Sequence, residues 1–158
     1  MAVKKPEITG KIAVVISTFN EEITGRLLKG ALKALKDKNI KSENILIFRV
    51  PGAFEIPLIT ETLAKKAKIK KIAGIITLGC VIKGETAHFE YISNSVSINL
   101  NRISSVYSIP VGFGILTCYD VAQAYERSRD NPPDSDNNKG YETALAVLET
   151  IETLKKLF

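Results

Sequence analysis

Apolar residues follow two rhythms along this chain, and the alternation between them lays out the expected fold. Residues 12–18 (Ile-Ala-Val-Val-Ile-Ser-Thr) are a continuous β-rich run, the pattern of a strand covered on both faces. Phe19 tops that run, and Asn20 stands where a helix N-cap is expected, with Glu21 and Glu22 placed to offset the helix dipole. Ile23, Leu27, Leu28, Ala31 and Leu35 then recur at helical spacing to about residue 37. Residues 44–50 predict a second strand. Residues 51–57 predict a sharply bent loop before a helix that turns Ile59, Leu63, Ala64 and Ala67 inward. Residues 72–78 predict the third strand and 79–88 a loop, after which Phe89, Ile92, Val96, Leu100 and Ile103 mark the buried side of a long helix. In the fourth strand, 109–117, Gly112 and Gly114 flank Phe113 and imply a ring held beside bare backbone. Asp120 is expected to cap a short helix through Arg127. Residues 128–138 read as a polar loop containing Pro132 and Pro133. The last helix, 139–157, is expected to bury Ala144, Val147, Leu148, Ile151 and Leu154.

Strand and helix alternate four times, which predicts one α/β domain over residues 1–158: a four-stranded parallel sheet with helices on both faces. A three-layer flavodoxin-like strand order is the simplest choice, with 1–10 as an extended N-terminal segment. A chain of 158 residues, 45% of them hydrophobic, can bury one core of that size. Two cysteines without a CxxC pair, and a single histidine, argue against a disulfide framework and a structural zinc site. Lys4, Lys5, Pro6 and Glu7 interrupt the N-terminus, so no signal peptide is expected, and no apolar run approaches a membrane span. A cytoplasmic protein with no membrane partner is the expectation. The formal net charge of +5 comes from lysine clusters at 29–41 and 65–71, which lie on expected helix faces without interleaved aromatics; a solvated surface fits them better than a nucleic-acid site.

Chemistry is expected in the loops that leave the carboxyl ends of the strands. The 79–88 loop carries the only histidine, His88, a hydroxyl at Thr86, two glycines and a following helix N-terminus that suits an anion. His88 can move protons near neutral pH or serve a purely structural role. Phe19 and Phe113 offer either a stacking surface for a flat ligand or ordinary packing. Glu55, between Phe54 and Ile56, is a carboxylate in apolar company, a hydrogen-bond acceptor or a charge at a helix start. Cys80 and Cys118 read as packing residues. Arg127 and Lys139 read as surface charges within reach of an anion. Neither a Ser-His-Asp set nor a phosphate-loop glycine motif is present. One histidine, anion donors, a carboxylate and two rings suit condensation of a planar, polyol-bearing substrate with a small phosphate.

Phe19-Asn20, residues 51–57, residues 79–88 with Phe89-Glu90-Tyr91, residues 113–117, Arg127 and Asn138-Lys139-Gly140 occur in an order that resembles the 6,7-dimethyl-8-ribityllumazine synthase family. The resemblance runs from about Lys11 to Leu157. It implies condensation of 5-amino-6-(D-ribitylamino)uracil with L-3,4-dihydroxy-2-butanone 4-phosphate to 6,7-dimethyl-8-ribityllumazine, releasing phosphate and water, in riboflavin biosynthesis. It implies no cofactor and no metal. It assigns Phe19, Ala53, Phe54 and Glu55 to the pyrimidine substrate, with Phe19 on the ring and Ala53 and Glu55 on the ribityl chain. Cys80, Val81 and Ile82 would line the ring's polar edge through backbone groups. Glu85 and Thr86 would receive the phosphate end of the butanone, and His88 would shuttle protons. Phe113, Arg127 and Lys139 look like a neighbouring subunit's contribution, with Phe113 on the pyrimidine side and Arg127 clamping phosphate. Thr18 stands where many relatives carry arginine. The segment between Arg127 and Lys139 is longer than in the relatives that build closed shells. That length implies a homopentamer of about 85 kDa, five copies of the 17.3 kDa chain, with sites between subunits and riboflavin synthase as a further partner. Two rivals remain: a pentameric riboflavin synthase of similar fold, against which residues 79–88 argue, and a flavodoxin-like flavin carrier, which would set phosphate where Glu21 and Glu22 stand.

Overall fold

The structure, a computed structural model, describes residues 7–158, so residues 1–6 of the expected extended segment lie outside it. Four strands, β1 (Lys11–Ser17), β2 (Ile45–Val50), β3 (Ile72–Ile82) and β4 (Val111–Cys118), form one parallel sheet in the order β2-β1-β3-β4. The helices between and after them are α1 (Glu21–Asp37), α2 (Ile56–Lys65), α3 (Ala67–Lys70), α4 (His88–Tyr107), α5 (Val121–Glu126) and α6 (Lys139–Lys155). This is the flavodoxin-like arrangement the alternation predicts.

The two-residue period of the strands explains the three layers. In β1, Ile12, Val14 and Ile16 join a core with α1, α5 and α6, while Ala13 and Val15 join a second core with α2 and α4. β3 divides in the same way, Ile76, Leu78 and Cys80 facing the first core and Ile75 and Val81 the second. Every large aliphatic side chain buried there contributes roughly 1.5–3 kcal/mol. The expectation of strands buried on both faces holds for β1 and β3 but not for the edge strands β2, with Ile47 exposed, and β4, with Phe113 exposed.

Several expected boundaries move. A short 3-10 turn, Ser42–Asn44, precedes β2, which starts at Ile45. The helix expected to bury Ala67 breaks after Lys65, leaving Ala67 at the head of the four-residue α3. α6 stops at Lys155, with Leu154 half-buried and Leu157 exposed. The backbone at Gly112 and Gly114 is not bare: Thr143 and Val147 of α6 lie over Gly112, so that an added Cβ would come within 2.6 Å of either side chain. The glycines admit a helix, and Phe113 points to the other face.

Candidate functional site

The chain leaves β1 for β2 on one side and reaches β3 on the other, so the topological switch point lies at the carboxyl ends of β1 and β3, where ligands bind in such sheets. Pairing with the β2 end continues past β1: Thr18 N–H donates to the Val50 carbonyl at 2.9 Å and Phe19 N–H to the Pro51 carbonyl at 2.9 Å. Phe19 is left 71% exposed. Asn20 then turns the chain directly into α1 from a left-handed conformation, φ 58° and ψ 47°. This corrects the capping expectation, because a side-chain cap needs an extended N-cap backbone. Asn20 makes no side-chain cap, and its Nδ2 donates instead to the Cys80 carbonyl on β3 at 3.0 Å.

After β2 the chain forms a 3-10 turn, Ala53–Glu55, with Ala53 buried and Phe54 exposed. Glu55 meets both readings open to it: it sits at the start of α2, and its Oε2 accepts the Gly52 N–H at 2.8 Å in a capping box.

Residues 79–82 are not a loop. β4 stays paired with β3 as far as Ile82 opposite Cys118, and the Lys83 N–H still donates to the Cys118 carbonyl at 2.9 Å. Cys80, Val81 and Ile82 are therefore the end of a strand that outruns β1, and they offer backbone rather than side chains. Burial pushes the Cys80 thiol up to about 12, with nearby Cys118 adding to the effect. Burial also raises Cys118, against an opposing pull from the Arg127 guanidinium. Both thiols are neutral packing groups at physiological pH. The loop itself spans residues 83–87 and exposes Glu85 and Thr86. His88, exposed, opens α4, and its N–H reaches Thr86 Oγ1 at 3.4 Å. The flanks of the loop are braced. Lys83 Nζ lies 3.7 Å from a Glu90 carboxylate oxygen and 5.8 Å from the Tyr119 ring centre, and the Phe89 and Tyr119 rings are 6.1 Å apart.

Phe19, Glu55, residues 80–82, Glu85, Thr86 and His88 thus belong to one end of the sheet. Phe113 does not join them within the chain. It is the third residue of β4, level with Thr77, and is 43% exposed on the outer edge of the sheet. At about 3.3 Å per residue it stands several residues short of the strand end. Arg127, the exposed residue after α5, belongs with α1 and α6 on the face opposite α4. Lys139 begins α6, and its N–H donates to the Arg127 carbonyl at 2.8 Å, so the two cations are neighbours despite the loop between them. The Lys139 ammonium bonds Glu142 at 2.8 Å.

That adjacency rests on a residue to which the sequence reading gave no role of its own. Asn138 is 2% exposed and bridges to Ser128, closing the 128–138 excursion at its base. Its Nδ2 donates to the Arg26 carbonyl at 3.1 Å and the Arg129 carbonyl at 2.9 Å, and its Oδ1 accepts the Tyr141 N–H at 3.1 Å, which caps α6. Gly30 on α1 makes room for that amide, since a Cβ there would overlap it.

Among the described residues no three metal-ligating side chains converge, and no helix is long and apolar enough to cross a membrane. The family profile described as 6,7-dimethyl-8-ribityllumazine synthase matches residues 9–155. The 6,7-dimethyl-8-ribityllumazine synthase 1 of Caulobacter vibrioides is 46% identical over 147 residues, covering 93% of this chain and 92% of that protein. The 6,7-dimethyl-8-ribityllumazine synthase of Blochmanniella pennsylvanica is 47% identical over 146 residues, covering 92% and 88%. With the family profile spanning nearly the whole chain, and relatives this similar over almost their full lengths, the protein belongs to the 6,7-dimethyl-8-ribityllumazine synthase family.

Proposed function

We propose that the chain performs its family's reaction, condensing 5-amino-6-(D-ribitylamino)uracil with L-3,4-dihydroxy-2-butanone 4-phosphate in riboflavin biosynthesis, at a site that two subunits complete. The observation that carries this reading is the meeting, beyond β1 and β3, of an exposed ring, a carboxylate and an open loop ending in the only histidine. Phe19 stacks on the pyrimidine, and the backbone of Cys80, Val81 and Ile82 reads its polar edge. Ala53, Phe54 and Glu55 follow the ribityl chain; the carboxylate oxygen that does not hold Gly52 accepts its hydroxyls. Glu85 and Thr86 take the phosphate end of the butanone. His88 relays protons as the imine forms, phosphate leaves and the second ring closes. Phe113, Arg127 and Lys139 come from the next subunit, and Arg127 holds the phosphate. Much of the acceleration is positioning of two substrates against fixed donors.

The assembly is a cytoplasmic homopentamer, with riboflavin synthase as a further partner. Support for five subunits rather than a shell comes from the ordered 128–138 excursion, where Asp134 Oδ1 accepts the Asp136 and Asn137 N–H groups, each at 2.9 Å, and Lys29 meets Asp130 at 3.4 Å. Mixing both substrates with the purified protein should give the absorbance and fluorescence of the lumazine; no product under saturating conditions sinks the reading. Light scattering should report about 85 kDa, five copies of the 17.3 kDa chain, and a megadalton particle would refute the pentamer.

A further inference from the structure

We propose that Asn20 is a positioning residue for the pyrimidine subsite: its carboxamide, bonded to the Cys80 carbonyl, sets the gap between the exposed Phe19 ring and the β3 end. The inference rests on the reading of Phe19 and residues 80–82 given above and adds a residue to which that reading assigns nothing.

Four non-glycine residues among those described have positive φ: Asn20, Asn39, Lys71 and Ser108. Asn39 follows α1, Lys71 follows α3 and Ser108 follows α4, where a left-handed residue is an ordinary way to stop a helix. Asn20 alone precedes a helix, and its conformation forfeits the side-chain cap that asparagine offers there. Strain retained at the edge of a binding crevice points towards function. The residue type narrows the reason. Besides glycine, asparagine and aspartate tolerate this backbone best, but glycine has no side chain and an aspartate carboxylate cannot donate to a carbonyl. Asparagine meets both demands, and the Cys80 carbonyl 3.0 Å away is the acceptor.

The bond spans the switch point. β1 pairs with β3 up to Ile16 opposite Leu78, and beyond it the β3 side that β1 covered is open. Along a strand, the N–H and C=O of every second residue point to the same side. Cys80 directs its carbonyl to Asn20, so Ile82, two residues on, presents its backbone groups to that same open side. The Asn20 amide therefore closes the bottom of a slot, with the Phe19 ring on one wall and the Ile82 backbone on the other. Without it, the Phe19 loop keeps its Thr18 and Phe19 bonds to the β2 end and the bonds of the Asn20 carbonyl to the Ile23 and Thr24 N–H groups of α1, and none of these ties it to β3.

The test is Asn20→Gly, which keeps the left-handed backbone and removes the amide. The dissociation constant of ribitylaminouracil by calorimetry, and its KM, should each rise about five- to tenfold, the effect of one lost hydrogen bond. The KM for the butanone phosphate should stay within about twofold, a split that a general loss of stability does not produce. Asn20→Asp, nearly isosteric and equally able to turn left-handed, should weaken the pyrimidine in the same selective way. An unchanged pyrimidine affinity in Asn20→Gly, or equal rises in both KM values, overturns the proposal. Should both variants lose the folded circular dichroism spectrum, Asn20 is a folding residue and the proposal also falls. Wild-type protein that binds ribitylaminouracil but makes no lumazine defeats the reaction and leaves the Asn20 titration decisive; wild-type protein that binds none defeats both.

Discussion

Phe19, Glu55, the β3 end and His88 reach one end of the sheet from three different connections, whereas Phe113 rides low on an edge strand and Arg127 and Lys139 stand in the layer on the opposite face. The first group is assembled by topology: the switch between β1 and β3 opens a crevice, and backbone bonds from Thr18 and Phe19 together with the Asn20 side-chain amide hold its rim. In the second group the Asn138 staple brings Arg127 and Lys139 together, while β4 alone carries Phe113. On the function proposed above, the fold of one chain carries a pyrimidine cradle without a phosphate clamp, and elsewhere a phosphate clamp without a cradle. In a cyclic oligomer with head-to-tail interfaces, each copy lends one half and borrows the other.

The strongest way to break this comparison is to damage the two halves in different chains. His88→Ala and Arg127→Ala proteins are each expected to be impaired. Mixed by refolding in equal amounts, they should recover activity at about a quarter of the sites, those that draw His88 from one intact donor and Arg127 from another. No recovery would place both residues in one chain's site. Taken singly, Arg127→Ala should raise the butanone-phosphate KM by roughly ten- to a hundredfold, the range of a lost charge-assisted bond, and change the pyrimidine KM little. Equal effects on both substrates would remove Arg127 from the phosphate.

On the other half, His88→Ala should slow turnover by roughly one to two orders of magnitude, the low end for acid–base catalysis, since substrate groups and water can relay the same protons. Its imidazole is exposed at the start of α4 and open to solvent. Near wild-type turnover with both substrates saturating would take His88 out of the mechanism.

The same division explains what could be read from the chain. β1 and β3 were legible because unbroken runs such as Ile12 to Ile16 bury both faces. The cradle residues were legible because they follow those runs. Asn20 was misjudged since asparagine is favoured both as a cap and as a left-handed residue, and its actual partner, Cys80, is sixty positions away. Residues 79–82 looked like a loop because of Gly79 and the helix to come; only β4, pairing from the other side, makes them strand. The glycines flanking Phe113 suggest a ring beside bare backbone, whereas they make room for Thr143 and Val147. In each of these cases the deciding contact is distant in sequence.

The mildest test concerns the floor between the halves. Cys80 enters the cradle only through its backbone, since its side chain is buried in the α1–α6 core and its thiol is pushed up to about 12 by that burial. The native thiol is neutral at pH 8, so iodoacetamide should leave Cys80 unmodified in the folded protein and label it once the chain unfolds. The sign of the pH effect follows. With the folded pKa above the ordinary thiol value of about 9, the thiol favours the folded state fully below about pH 9, and this contribution is lost as pH rises from there towards 12. Melting temperatures should therefore fall across that interval, and replacing Cys80 by alanine should flatten the part of the slope that it causes. Rapid alkylation of Cys80 at pH 8 in the folded protein would mean that β3 opens to solvent near Cys80, and a cradle resting on the Asn20 bond would lose its fixed floor.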